Sequence, residues 1–266
     1  MFNILFNPKK AERHYLEMLL VGFFYASLSL LVSFWIFSKY AGLAMVFLSV
    51  ISCLYVVQGA ITSEEDKEKN YNSEKWLLKE HSRVLKFLLF LFIGFVLAFA
   101  FWSFILPPEQ TSVLFSIQKM SVESIRGITG NATSGSSLMI ILSNNLKVLF
   151  VSLIFALFYG AGAIFVLAWN ASVMGFVIGT LARNTFGIAA LPLAFLKYFL
   201  HGIPEMLAYF VAALAGGILY TAFLNGDLLK EKRGKRLLID SAVLILISIL
   251  ILVISALIEV HISPLV

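Results

Sequence analysis

Residues 84–106 read VLKFLLFLFIGFVLAFAFWSFIL, an apolar run with a single charged residue near its start. The hydrocarbon core of a bilayer is about 30 Å thick, so a helix needs about 20 apolar residues to cross it. Irregular backbone finds no hydrogen-bond partners in lipid, so a run of this kind predicts a membrane-spanning α-helix. This stretch decides the fold class if the rest of the chain has the same character.

The composition of the whole chain agrees with that interpretation. Of its 266 residues, 60% are hydrophobic and 13% are charged, whereas an average soluble domain has about 45–50% apolar and about 25% charged residues. Cys53 is the single cysteine, which excludes an intrachain disulfide and a cysteine-based zinc site. We predict an all-α, polytopic membrane protein with membrane lipids as partners, no nucleic-acid partner, no metal and no cofactor.

The apolar runs predict about seven crossings of the membrane. The region 170–200 is apolar but interrupted by Asn, Arg, Gly and Pro, so it predicts a broken or re-entrant stretch with a short crossing and a re-entrant or interfacial helix near 189–200. The predicted crossings are 16–37, 41–60, 84–106, 146–168, 171–186, 203–224 and 237–259.

The distribution of Lys and Arg predicts the orientation. With the N-terminus inside, 14 of the 20 basic residues fall in cytoplasmic segments, as the positive-inside rule requires. Seven crossings in the cell membrane, with the N-terminus cytoplasmic and the C-terminus outside, satisfy this division. Six crossings would place a strongly basic loop on the wrong side.

Two polar segments lie outside the predicted lipid region. Residues 61–83 mix acids and bases and predict a charged cytoplasmic connector, in which Ser63 and Asp66 resemble a capping box. Residues 107–143 form a long outer segment, within which Asn131-Ala132-Thr133 fits a glycosylation acceptor. A helix lying on the outer leaflet is predicted there from apolar residues at helical spacing, which are Leu114, Ile117, Ile125 and Ile128.

Small residues recur in the fourth, fifth and sixth predicted crossings. Such residues allow close approach of helix backbones, so we predict a tight bundle of these three crossings and a packing role for the small residues. These residues are Gly160, Gly162, Gly175, Gly179, Ala208, Ala212 and Gly216, and Gly202, just before the sixth crossing, is assigned the same packing role.

The candidate site lies in FLHGIPEMLAYF, residues 199–210. Pro204 predicts a helix start, with Gly202 or Ile203 at the cap and Glu205 in the first turn. His201 precedes this start and is predicted to fold back toward Glu205, with Asn145 and Asn170 as further polar partners.

Structural and functional roles for this polar group are equally compatible with the sequence. In the first, Glu205 caps a helix end and His201 donates a hydrogen bond to it; in the second, the pair binds a ligand, cation or proton. One His and one Glu fall short of a stable metal site. The hypothesis of an intramembrane serine protease has even less support, because neither GxSxG nor GxSG surrounds Ser172.

Four motifs together resemble the stage II sporulation protein M family of integral membrane proteins. They are NN at 144–145, GAG at 160–162, NASVMGFVIG at 170–179 and HGIPE at 201–205 followed by AALAGG. The family hallmark looks like a His-Gly-x-x-Glu box, matched by His201, Gly202 and Glu205. The resemblance divides the chain into a core at 84–266 and an added N-terminal transmembrane hairpin with its connector at 1–83.

The resemblance implies a non-enzymatic membrane protein, because the namesake of the family is a scaffold that recruits cell-wall hydrolases for engulfment in spore-forming bacteria. We therefore expect a scaffold or accessory subunit of a membrane complex, with other membrane or envelope proteins as partners and a homo-oligomer left open. The alternative is a small transporter or channel with a polar site at His201 and Glu205.

Overall fold

A computed structural model of the protein describes residues 15–68, 82–129, 134–159, 163–185 and 187–262. Over those residues the chain forms nine α-helices, joined in part by short 3₁₀ turns, and no β-strand. The helices are α1 (Tyr15–Ile36), α2 (Ala41–Glu68), α3 (Ser82–Ile105), α4 (Pro108–Leu114), α5 (Ser116–Thr129), α6 (Ser134–Tyr159), α7 (Ala163–Asn184), α8 (Leu191–Leu224) and α9 (Glu231–His261).

Seven of these helices are long and apolar enough to cross a membrane. They are all the helices except the short α4 and the amphipathic α5, which lie between α3 and α6. The predicted class, an all-α polytopic membrane bundle with seven spans, is confirmed.

The boundary between the fourth and fifth spans was predicted wrongly. A crossing at 146–168 was expected, but α6 begins at Ser134 and ends at Tyr159, and α7 begins at Ala163. The chain is apolar from 138 to 182 apart from the polar residues at 143–147 and Asn170, and hydropathy summed over about 20 residues changes little when the window slides by ten. Gly160 and Gly162 lie outside the described residues.

The predicted re-entrant helix near 189–200 and the helix start at Pro204 are also wrong. Helix α8 runs unbroken through Pro204 and begins at Leu191, where Pro192 occupies the first turn, a position that tolerates a missing N–H. The break lies instead between Asn184 and Leu191, around Gly187 with its φ of 64°. A proline inside a membrane helix is tolerated because neighbouring helices satisfy the freed backbone group.

Helix α3 is the most buried of the seven spans, with two thirds of its apolar window enclosed (67%). It packs against α1 on one side and α7 on another. The contact with α1 is reciprocal: Gly22 of α1 lies on Leu91, and Gly94 of α3 lies on Leu19 and Phe23. The N-terminal hairpin therefore shares one packed interface with the rest of the chain.

The segment between α3 and α6 contains the predicted helix as α5, but one face of that helix packs on protein. Gln118 of α5 is fully buried, and its amide donates to the Gly42 carbonyl (3.0 Å) and to the Ser172 hydroxyl (3.1 Å). Phe115 stacks on Phe176 of α7 with ring centroids 5.4 Å apart. The segment is thus anchored in the bundle. Three features predicted from sequence lie outside the described residues: the side chains of Ile125 and Ile128, those of Ser63 and Asp66, and the triplet Asn131–Thr133.

Arg183, near the end of α7, connects that helix to the segment that follows α3. Its guanidinium donates to the Leu106 carbonyl at 2.7 Å and to the Thr111 hydroxyl at 3.2 Å. Leu106 follows the end of α3, where the last carbonyls of a helix have no partner within the helix. A residue that looked like an interruption of the fifth span therefore ties α7 to the α3–α4 corner.

Candidate functional site

The carboxyl group of Glu205 has a partner on its own helix. The Tyr209 hydroxyl donates to Glu205 Oε1 at 2.7 Å, which the i,i+4 spacing on one helix face permits. Tyr209 is 1% exposed, and Glu205 is half-buried. The hydrogen bond that the sequence assigned to His201 comes here from Tyr209.

His201 is held at both its side chain and its backbone. The imidazole donates to the backbone carbonyl of Lys197, one turn earlier in α8, and its ring lies edge-on to Tyr198 with centroids 6.1 Å apart. The His201 carbonyl accepts a hydrogen bond from the Ser255 hydroxyl of α9 at 2.7 Å. Ser255 thus fixes the spacing of α8 and α9 three residues before Pro204.

A second carboxyl group approaches from α9. Glu259 is one helical turn after Ser255, whose hydroxyl donates to the His201 carbonyl. Side chains on a helix tilt toward its N-terminus, so in two antiparallel helices Glu205 and Glu259 lean toward the level of His201 and Ser255. The polar cluster therefore consists of His201, Glu205, Tyr209, Ser255 and Glu259, at the interface of α8 and α9.

Sequence reasoning missed Tyr209, Ser255 and Glu259, although a signal for Ser255 was present. The connection between α8 and α9 is short, so the two helices form an antiparallel hairpin around Leu228. His201 lies 27 residues before Leu228 and Ser255 lies 27 residues after it. Counting outward from the connection would have placed them opposite each other.

Asn145 lies near the level of this cluster, on α6. Gly216 of α8 packs on Ala156 of α6, and one crossing separates these two helices, so they run parallel. Eleven residues make about three helical turns, and stepping back eleven on each helix leads to Glu205 and Asn145. Asn145 is 5% exposed, and its Nδ2 has no hydrogen-bond partner among the residues that the structure describes.

Asn170, the fourth predicted polar residue, is bound within its own helix. Its Nδ2 donates to the Val166 carbonyl at 2.8 Å. Ser172, two residues on, donates its hydroxyl proton to the Trp169 carbonyl at 2.7 Å. Both side chains thus use their donors for α7.

The small residues of the predicted site lie at three different helix contacts. Gly175 and Gly179 of α7 face α3, where a methyl group at Gly175 would lie 2.6 Å from Phe99 Cβ. Gly202 of α8 lies on Met174 of α7. Gly216 faces α6, and Ala208 and Ala212 are fully buried in the same helix.

The predicted tight bundle of the fourth, fifth and sixth spans is confirmed for α8, which packs on α6 at Gly216 and on α7 at Gly202, and it is wrong for Gly175 and Gly179. The glycine face of α7 packs on α3, while α8 packs on α6 and α9. GxxxG spacing identifies a face that allows close approach, but it does not name the partner helix. Here the partner of Gly175 and Gly179 comes from about 75 residues earlier in the chain.

The cluster offers proton-binding and hydrogen-bonding chemistry. Two carboxyl groups, a phenol and an imidazole can share protons or hold a cation, and they can equally cross-link two helices. Over the described residues, no group of three or more His, Cys, Asp or Glu side chains is arranged to hold a metal ion.

Comparison with known proteins places this geometry in a family context. The stage II sporulation protein M family matches residues 84–264, which begin at α3 and include the whole cluster. An uncharacterized protein of Methanocaldococcus jannaschii is 35% identical over 129 residues, which cover 47% of this chain and 69% of that protein. None of the solved structures matches the chain significantly.

Proposed function

Because the chain belongs to the stage II sporulation protein M family, we propose that it is a non-enzymatic scaffold or accessory subunit of a complex in the cell membrane. The family match covers the spans from α3 onward, and α1 and α2 precede it. On this proposal the seven spans form a rigid body that holds other membrane or envelope proteins in place.

The observation that carries the proposal is the aromatic filling of the bundle. Phenylalanines of α3 lie at its centre and interlock edge-to-face with rings from α8 and from the outer segment. Close packing of this kind resists the rearrangements that alternating access requires. The phenylalanines concerned are each 0–2% exposed: Phe87, Phe92, Phe95, Phe99, Phe115 and Phe210.

Affinity capture tests this proposal. The full chain with an affinity tag, extracted from its native membrane in mild detergent, is expected to co-purify with at least one membrane or envelope protein in stoichiometric amount. Membranes with the untagged chain are the control. A protein that purifies alone, and that carries ions or solutes across liposomes, would contradict the scaffold.

A second candidate function, a small transporter or channel, is favoured by one specific observation. Glu205 lies within a span and its carboxyl group accepts from the buried Tyr209 hydroxyl at 2.7 Å, and ionisable groups inside the membrane commonly mark ion or proton pathways. On this candidate, liposomes that contain the full chain carry a flux that Glu205→Gln abolishes.

The orientation proposed from the basic residues is tested by cysteine labelling. With Cys53 replaced, single cysteines at Asn72 and Lys232 are expected to react with impermeant thiol reagents only after cell lysis, because both lie in the basic segments assigned to the cytoplasm. A cysteine at Ser134, at the start of α6, is expected to react in intact cells. Labelling of position 232 from outside would overturn the proposed topology.

A further inference from the structure

Lys147 lies in the middle of the α6 span, which covers Ser137–Leu157. The predicted crossing at 146–168 placed this lysine at the outer end of a helix, but the observed helix begins twelve residues earlier than that crossing. Of the seven spans, α6 is the least enclosed, with 17% of its most apolar 18-residue stretch buried. Lys147 is on its exposed side.

The contacts of α6 and α8 confirm the depth of Lys147. Ala156 of α6 and Gly216 of α8 pack together. Lys147 and Leu207 each lie nine residues before one of them, so they are at the same level. The Ser255–His201 hydrogen bond sets the register of the antiparallel helices α8 and α9. Six residues after His201 and six residues before Ser255, Leu207 lies opposite Ile249. Ile249 is near the centre of the apolar run 237–259. Lys147 is therefore close to the membrane midplane.

A lysine at this depth and on this face needs a partner. The hydrocarbon extends about 15 Å to either side of the midplane, so the ammonium group cannot easily reach the headgroups. Charged side chains within spans almost always face a bundle interior or a water-filled cavity and pair there. Within the described ranges, no hydrogen bond or ion pair reaches Lys147.

The surface around Lys147 is suited to a helix. Ser143 and Asn144 are exposed one turn before it, and a shallow groove beside it is lined by Met139, Ser143, Lys147 and Phe150. Met139 and Phe150 are 68% and 60% exposed. We call Met139, Ser143, Asn144, Lys147 and Phe150 the Lys147 face. It has hydrogen-bonding groups at its centre and apolar side chains at both ends.

A second copy of this chain does not supply the missing charge. A two-fold axis through the Lys147 face would bring one ammonium group next to the other, which is repulsive. Among the described spans, the acidic residue at this depth is Glu205, and its carboxyl oxygen accepts from Tyr209 at the α8–α9 side. The complementary carboxylate must come from a different protein.

We propose that the Lys147 face docks a membrane-spanning helix of a partner protein that carries an aspartate or glutamate near its midpoint. This inference rests on the proposed role as a subunit of a complex and states the chemistry of the partner. The carboxylate pairs with Lys147, Ser143 and Asn144 add hydrogen bonds, and Met139 and Phe150 pack on the apolar turns of the incoming helix.

Photocrosslinking in liposomes tests this docking with synthetic helices. The full chain carries benzoylphenylalanine at Phe150, or at Leu250 as the control, since Leu250 is 55% exposed on α9 at nearly the same depth as Lys147. The probes are Leu/Ala membrane-spanning peptides with a central Glu, Gln, Leu or Lys. We expect about three- to thirtyfold more crosslinking of the Glu peptide than of the Leu peptide from position 150, and no such preference from position 250.

Variants of Lys147 decide whether its charge causes the preference. Lys147→Arg should keep it, Lys147→Leu should remove it without changing the melting temperature, and Lys147→Glu should transfer it to the Lys peptide. Equal crosslinking of all peptides, preference that survives Lys147→Leu, or crosslinking mainly to lipid or to a second copy of the chain would each overturn the docking proposal. A stoichiometric partner in the affinity capture would still support the scaffold in that case, so the two failures are distinguishable.

Discussion

Gly216→Ala is expected to destabilise the protein, whereas Gly217→Ala, one residue later in the same helix, is expected to be neutral or stabilising. A methyl group at Gly216 would lie 2.7 Å from the Leu153 carbonyl oxygen and 2.9 Å from Ala156 Cβ. Both atoms belong to or adjoin the backbone of α6, so α6 and α8 must move apart. A methyl group at Gly217 meets nothing within 4 Å.

The expected changes in the free energy of unfolding have opposite signs. Overpacking a closely packed contact costs about 1–3 kcal/mol, while replacing glycine by alanine inside a helix gains up to about 1 kcal/mol where there is room. Thermal melting of both variants in the same detergent measures the difference, and the shared helix and substitution make Gly217→Ala a matched control. Equal melting temperatures would show that the α6–α8 contact is looser than the structure describes.

Glu205→Leu is expected to lower the melting temperature, while Glu205→Gln is expected to be mild. The leucine removes the acceptor of the Tyr209 hydroxyl, which is 2.7 Å from Glu205 Oε1 and belongs to a side chain that is 1% exposed. A buried donor without an acceptor costs about 1–3 kcal/mol. Glutamine keeps an oxygen in the same place.

Tyr209→Phe provides the control for that explanation. If the lost hydrogen bond causes the effect, Glu205→Leu combined with Tyr209→Phe should be less destabilised than the sum of the two single variants, because no unpaired hydroxyl remains. Additive losses would assign the effect of Glu205→Leu to packing instead.

The same variants separate the two candidate functions. On the scaffold proposal, Glu205→Gln keeps both stability and complementation of a deletion strain. On the transporter candidate it keeps stability but loses complementation, because the charge itself is needed. If Glu205→Leu, Glu205→Gln and His201→Ala all match the wild type in both assays, the cluster is not central to this protein.

The sequence by itself determined the fold class, the number of spans and the helix that carries the candidate site. These properties depend on sums over many residues or on local spacing: about 20 apolar residues per crossing, and the spacing of His201, Gly202 and Glu205 in the box, although the helix start was placed inside that box. Small errors in any single position do not change such sums. The resemblance to the family rested on the same local motifs, and residues 84–264 match it.

The tertiary structure alone decided where helices end and what their polar groups meet. Hydropathy averaged over about 20 residues varies little from 138 to 182. It therefore could not show that α6 ends at Tyr159 or that Lys147 is at mid-span. Local rules for proline could not show that α8 continues through Pro204, because a proline can either start a helix or lie inside one whose neighbours accommodate it. Ser255 contacts the His201 carbonyl, and Gly179 contacts α3, through the register and choice of neighbouring helices, which the three-dimensional packing sets.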